Sequence, residues 1–291
     1  MQNIFQHTIK NKVTCSGIGV HSGKISNLTF YPAPTDTGIK FIRSDIKNKN
    51  NIIPANYKNV HKTTLGTTLT NEEQVEIATI EHLMAALWAV NIDNCLIESD
   101  NIETPILDGS SEPFVFLLKT AGIKKQDKKR KYLKIIKDFA ASSQKDPSIT
   151  SSFQIDDDFI IDFTIEFSNK IIGKDNYVFI NKDNCFIKDI ARARTFGMFH
   201  EVEYLRKNNL ALGGSLENAI VVDDDKILNP GGLRIKQEFV KHKILDSIGD
   251  LYLAGYPIIG KFQGFRSGHD LNNQLLHKLF SDKDNYKFVN F

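Results

Sequence analysis

Apolar residues recur at helical spacing most clearly between Gln74 and Val90, where Ile77, Ile80, Leu83, Met84, Leu87 and Trp88 share a face and Asn91 could close the helix as a left-handed cap. The spacing predicts a helix there with Glu81 and His82 inside it. A second amphipathic helix is expected from about Gln237 to Leu253, with shorter ones near Phe114 to Ala121, Asp183 to Ala193 and Leu271 to Phe280. Alternating or continuous apolar runs predict strands at Asn27 to Tyr31, Asn94 to Glu98, Tyr132 to Ile136, Phe159 to Phe167 and Ile258 to Phe265. A smaller strand–helix–strand stretch is expected from about Phe199 to Val222, and no short internal repeat or low-complexity tract interrupts the pattern. Helices and strands mix without strict alternation, so the class read from the pattern is α+β.

The sharpest shift in composition is Lys124 to Lys131, Lys-Lys-Gln-Asp-Lys-Lys-Arg-Lys, which has almost nothing to bury. It is read as a solvated linker at 125–131 between an N-terminal domain, 1–124, and a C-terminal domain, 132–291. The total of 291 residues fits about two domains. The run has no interleaved aromatic residue. With 37 Lys+Arg against 35 Asp+Glu the net charge is +2, so a dedicated nucleic-acid binder is not expected. Hydrophobic residues at 41% and charged residues at 25% exclude a wholly disordered or collagen-like chain. Cys15, Cys95 and Cys185 are widely spaced and form no C-x-x-C pair, which fits a reducing compartment. The longest apolar run, Leu83 to Val90, is far short of the ~18 residues that span a bilayer. A soluble, cytoplasmic protein is therefore expected.

Three polar groupings could carry chemistry. In the predicted helix near the C-terminus, His242, Asp246 and Asp250 fall four residues apart and point along one face, where a His and an Asp one turn apart can share a cation. An exposed face with i,i+4 pairing would look the same. In Thr79-Ile-Glu81-His82-Leu-Met-Ala-Ala an acid and an imidazole adjoin on an otherwise apolar helix, where burial demands partners for both; a core His bonded to a carbonyl is the alternative. In Arg266-Ser-Gly-His269-Asp-Leu-Asn-Asn273, His269 stands at a strand-to-helix corner, as a site residue or as a bystander to a helix cap. Gly17-Ile-Gly-Val-His-Ser-Gly-Lys24 fails both nucleotide-loop patterns, because Ile18 and Ile25 break the phosphate loop and Ser22 breaks G-x-G-x-x-G. Two His and one Asp, leaving a fourth position for water, have the composition of a catalytic zinc site and point to metal-assisted hydrolysis.

Taken in order, these segments resemble the UDP-3-O-acyl-N-acetylglucosamine deacetylases, the LpxC family of lipid A biosynthesis in Gram-negative bacteria. The resemblance runs nearly end to end. It is carried by Gly17-Ile-Gly-Val-His-Ser-Gly-Lys24, Thr79-Ile-Glu-His-Leu-Met-Ala-Ala-Leu87, Ile92-Asp-Asn94, Asp108-Gly-Ser110, Ala191-Arg-Ala-Arg-Thr-Phe-Gly197, Leu212-Gly-Gly-Ser215, His242-Lys-Ile-Leu-Asp246 with Gly249-Asp250, and Ser267-Gly-His-x-Leu-Asn-Asn273.

The resemblance implies two similar α+β domains of sheets packed on helices, each with an insert, the first at about Arg43 to Leu69 and the second at about 197–224. It implies Zn²⁺ held by His82, His242 and Asp246, with Glu81 activating the bound water for attack on the substrate acetamide. It implies that His269, held by Asp250, and the Thr195 hydroxyl assist the oxyanion or leaving amine, and that Phe167, Phe196 and Lys243 contact the sugar or UDP. The second insert would form an acyl-chain passage, for which Phe199, Val202, Tyr204, Leu205, Leu210 and Leu212 have the character. The implied partner is UDP-3-O-acyl-GlcNAc, met by a monomer near the inner membrane without a transmembrane segment and without nucleic acid. Two residues depart from the pattern: Gly66 replaces a Cys of some members beside the zinc, and Glu201 replaces a familiar Asp. A zinc amidohydrolase for another amide and a non-catalytic nucleotide-sugar or lipid binder are the competing readings.

Overall fold

The computed structural model describes residues 3–182 and 185–291. Five helices carry the architecture: α1 (Glu81–Ala89), α2 (Glu112–Ala121), α3 (Phe199–Lys207), α4 (Glu238–Tyr252) and α5 (His269–Ser281). The N-terminal half builds a five-stranded sheet in the order Val13–Ile18, Ile25–Pro32, Cys95–Ser99, Ile39–Arg43, Ile52–Pro54, antiparallel except where Cys95–Ser99 runs parallel to Ile39–Arg43. The C-terminal half builds a seven-stranded sheet around Ile258–Phe265, which runs parallel to Tyr132–Ile135 and Phe159–Glu166 and antiparallel to Thr150–Gln154. The α+β class is therefore as expected.

Period-two burial explains the sheets: Phe159, Ile161, Phe163 and Ile165 face the core while the residues between them are half exposed. Helix α1 is different. Every residue from Glu81 to Trp88 is buried, so α1 is a central helix that packs on α2 and α4. Helix α4 lies across Phe159–Glu166 and Lys174–Ile180, and α5 covers Phe139–Ser142 and Thr150–Gln154. Two small sheets stand apart from these larger ones. One is the antiparallel set Val60–Lys62, Thr68–Thr70 and Glu76–Ile77; the other pairs Phe196–Met198 with Ile220–Val222 in parallel, with α3 between them in sequence.

Three expectations change. The helix predicted from Gln74 begins at Glu81: Gln74 and Thr79 adopt left-handed backbone (φ 56° and 58°), and Glu76–Ile77 pairs with Thr68–Thr70 instead. Ile77 and Ile80 are buried as the pattern required, but ahead of the helix. The basic run is no linker. Ile123–Lys129 is a strand antiparallel to Phe5–Ile9, because main-chain pairing asks nothing of side chains that stay in solvent. Arg130, by contrast, is buried, with its guanidinium donating to Asp93 and Asn91 at 2.7 Å each. Of the helix expected near Asp183 to Ala193, Asp183 and Asn184 lie outside the described residues and Phe186–Ile190 forms a single π-helical turn. Among the described residues no helix is long and apolar enough to cross a membrane.

Helices α1 and α4 meet backbone to backbone at Gly249, where a β-carbon would lie 2.0 Å from the Glu81 carbonyl oxygen. Gly249→Ala should therefore destabilise the fold by about 3 kcal/mol, the upper end for overpacking, because the methyl meets main chain and not a side chain that can swing away. Urea unfolding checks this, and an unchanged midpoint would contradict the close approach.

Candidate active site

The crossing of α1 and α4 brings together side chains that are far apart in sequence. Glu81 and His82 open α1, one residue beyond Thr79, a β-branched residue in left-handed backbone. That conformation is held from two sides: the Thr79 hydroxyl donates to Glu103 Oε1 at 3.1 Å, and the Thr104 hydroxyl donates to the Thr79 carbonyl. The Ser111 hydroxyl, ahead of α2, donates to the His82 carbonyl at 2.8 Å. On α4, His242 and Asp246 share a face one turn apart.

His82 Nε2 lies 3.5 Å and His242 Nε2 3.3 Å from the same oxygen, Asp246 Oδ1. All three residues are buried, the three ligand atoms lie within 4.8 Å of one another, and Asp246 Oδ1 has no hydrogen-bond partner among the described residues. His242 Nδ1 faces the Ala193 carbonyl at 3.0 Å, an acceptor that assigns the proton to Nδ1 and leaves Nε2 as a lone-pair donor. Two ring nitrogens and an unsatisfied carboxylate oxygen facing one point are the donor set of a divalent transition metal, and they fit that group.

The surrounding electrostatics separate the titratable groups. Burial disfavours the imidazolium and pushes His242 down to about 3, so it is neutral, as a metal ligand must be. Burial opposes the charge on Asp246, but the Lys243 ammonium, 2.5 Å from Oδ2, holds the carboxyl well below the ordinary carboxylate range. Glu81 moves the other way. Its burial raises the carboxyl above the ordinary value, against the pull of His269 and His82. His269 is buried as well, which works against its charge, yet the Asp250 carboxylate 2.8 Å from Nδ1 outweighs this and raises it to about 9. Asp250 is saturated with donors: Oδ2 accepts from His269 and Asn272, and Oδ1 accepts from the Thr67 hydroxyl at 2.6 Å.

A cavity of about 470 Å³ opens over these groups and is lined by Glu81, His82, His242, Lys243, Asp246 and His269. Thr195 and Phe196 form part of its wall, and it continues between α3 and the strand Ile220–Val222. Phe199, Val202 and Leu205 line that extension; Tyr204, Leu210 and Leu212 do not, and Tyr204 is 68% exposed on the outer side of α3. Phe167 is outside the lining, edge-on to Phe196 at 5.7 Å between ring centroids. Asp250 stands behind His269 and not on the cavity wall.

Some of the wall was not anticipated from the sequence. Val20, His21 and Leu65 line the cavity, and His21 Nε2 lies 3.2 Å from the Leu65 carbonyl. Their loop is clamped by Glu103, whose two oxygens accept the main-chain N–H groups of His21 and Ser22. The glycine-rich signal of Gly17 to Lys24 was visible in the sequence but does not report a nucleotide loop. It allows a close approach: a β-carbon at Gly19 would fall 2.3 Å from Glu103.

A family model described as LpxC, UDP-3-O-acyl N-acetylglycosamine deacetylase, matches residues 6–281. The chain belongs to the LpxC family. The UDP-3-O-acyl-N-acetylglucosamine deacetylase of Shewanella halifaxensis is 48% identical over 290 residues, 99% of this chain and 94% of its own length. That of Shewanella pealeana is 47% identical over the same extent.

The purified chain should bind about one transition-metal ion tightly, and His82→Ala or Asp246→Ala should lose it, because removing one of three ligands leaves a buried, half-built site. Elemental analysis after gel filtration measures this; wild-type protein that is folded and metal-free would contradict the donor-set reading.

Proposed function

We propose that this protein hydrolyses the acetamide of UDP-3-O-((R)-3-hydroxyacyl)-N-acetylglucosamine to the free amine and acetate, a step of lipid A biosynthesis, in the cytoplasm. The observation that carries the proposal is the convergence of His82, His242 and Asp246 with Glu81 and His269 on one cavity that runs on between apolar side chains. His82, His242 and Asp246 would hold Zn²⁺, which when bound polarises a carbonyl and lowers the pKa of water toward about 7.

The protein's own residues supply the proton traffic. Glu81, raised by burial, is suited to take a proton from the attacking water near neutral pH. His269, kept protonated by Asp250, is suited to donate to the amine nitrogen as the C–N bond breaks, or to the oxyanion before it. The Thr195 hydroxyl supports the oxyanion. The apolar extension past Phe199, Val202, Leu205 and Val221 takes the acyl chain, where each buried CH₂ contributes about 0.8 kcal/mol. Phe196 and Lys243 on the wall, and Phe167 packed edge-on against Phe196, orient the sugar and UDP. Two domains, the first including the strand Ile123–Lys129 and the second starting at about residue 132, contribute Glu81 and His82 from one side and His242, Asp246 and His269 from the other.

Turnover of UDP-3-O-acyl-GlcNAc with and without a chelator is the direct assay: activity should vanish with chelator and return with added Zn²⁺, and activity indifferent to chelator would contradict the proposal. Glu81→Ala is expected to keep its metal and lose about 10²–10⁴ in kcat, the usual span for a positioned acid or base. The pH dependence has a definite sign. Activity falls on the acid side as Glu81 becomes protonated, at a pH above the ordinary carboxylate range, and on the alkaline side as His269 loses its proton, at or below about 9 because a bound dication lowers it. His269→Ala should abolish the alkaline limb; a limb that survives the substitution assigns it to another group.

A further inference from the structure

Thr67 lies on none of the helices that carry the site, yet it touches both halves of the proton-transfer apparatus. It belongs to the loop that leads into Thr68–Thr70 and is buried, at 2% exposure. Its main-chain N–H donates to Glu81 Oε2 at 3.0 Å, and its hydroxyl donates to Asp250 Oδ1 at 2.6 Å, across 183 positions of sequence. Glu81 is on α1 and Asp250 on α4, and Asp250 in turn holds His269. We infer that Thr67 is a positioning residue for the hydrolysis, a two-handed brace that sets the proposed base and the proposed proton donor in fixed relation to each other.

Three observations support the inference. The hydroxyl is the one partner of Asp250 Oδ1 among the described residues, since His269 and Asn272 both bond to Oδ2. Glu81 and Asp250 are both buried carboxyl groups on different helices, and Thr67 offers a donor to each, so one residue fixes the position of both. The neighbouring Gly66 carries no side chain to intrude, since a β-carbon there would fall 2.8 Å from Glu81 Oε1. Without the hydroxyl, Asp250 Oδ1 becomes a buried acceptor with no donor. The carboxylate then turns to find one and takes the His269 ring with it.

The inference rests on the deacetylase reading, and the test separates the two. Wild-type enzyme must first turn over UDP-3-O-acyl-GlcNAc in a Glu81-dependent manner; if it does not, the deacetylase reading fails independently of Thr67. Given that activity, Thr67→Val, close in shape but without the hydroxyl, should lower kcat by about tenfold or more with KM unchanged and metal content intact, and Thr67→Ser should restore most of it. In a His269→Ala background, Thr67→Val should cost far less, since the group it positions is gone. A purely structural residue would lower thermal stability while leaving kcat per metal-loaded molecule untouched. A smaller fall in kcat, failure of Ser to restore it, or an undiminished cost in the His269→Ala background each overturns the inference. Should the Val variant not fold, Thr67→Ala is measured by the same criteria, and a folded Thr67→Ser that loses tenfold or more in kcat is itself a refutation.

Discussion

The site depends on two helices touching without side chains between them. The Glu81 carbonyl occupies the volume that a β-carbon at residue 249 would need, so α1 rests its first turn on the backbone of α4. A side chain at residue 249 would meet this carbonyl and push the first turn of α1, which carries Glu81 and His82, away from α4. With glycine there, His82 reaches Asp246 while Glu81 faces the neighbourhood of Asp250 and His269. Anchors at the ends of the two helices hold the crossing: Ser111 bonds to the His82 carbonyl, and the Tyr252 hydroxyl at the end of α4 bonds to the Ile92 carbonyl.

A concentration of buried charge follows from this contact, and the fold treats its members differently. Asp250 has three donors and has no need of a metal. Asp246 has Lys243 at one oxygen, while the other faces two imidazole nitrogens and carries no hydrogen bond. Leaving a charged acceptor oxygen buried and unpaired costs several kcal/mol, which a fold tolerates where something else completes the site. Satisfied and unsatisfied carboxylates thus sit four residues apart on one helix.

Most of this was legible in the sequence because it rests on local periodicity. The i,i+4 stripe of His242, Asp246 and Asp250 and the Glu81-His82 pair in an apolar run were visible before any fold, and the resemblance to the LpxC family joined them into one centre. The start of α1 was misjudged because Ile77 and Ile80 keep helical spacing while Gln74 and Thr79 take left-handed backbone, which no glycine marks. The basic run was misjudged because strand pairing is a main-chain property that charge composition conceals. Thr67 and Glu103 gave no local signal, and the glycine-rich block around His21 did not reveal what that ring touches. Their roles arise where loops cross from distant parts of the chain, and only three-dimensional structure discloses such contacts.

The central claim is that His82, His242 and Asp246 grip one ion. Anomalous diffraction at the zinc edge from crystals of the full chain tests it most directly. The account predicts a single strong peak about 2.0–2.2 Å from His82 Nε2, His242 Nε2 and Asp246 Oδ1. A peak elsewhere, or well-ordered electron density for the three side chains with no peak between them, would contradict it.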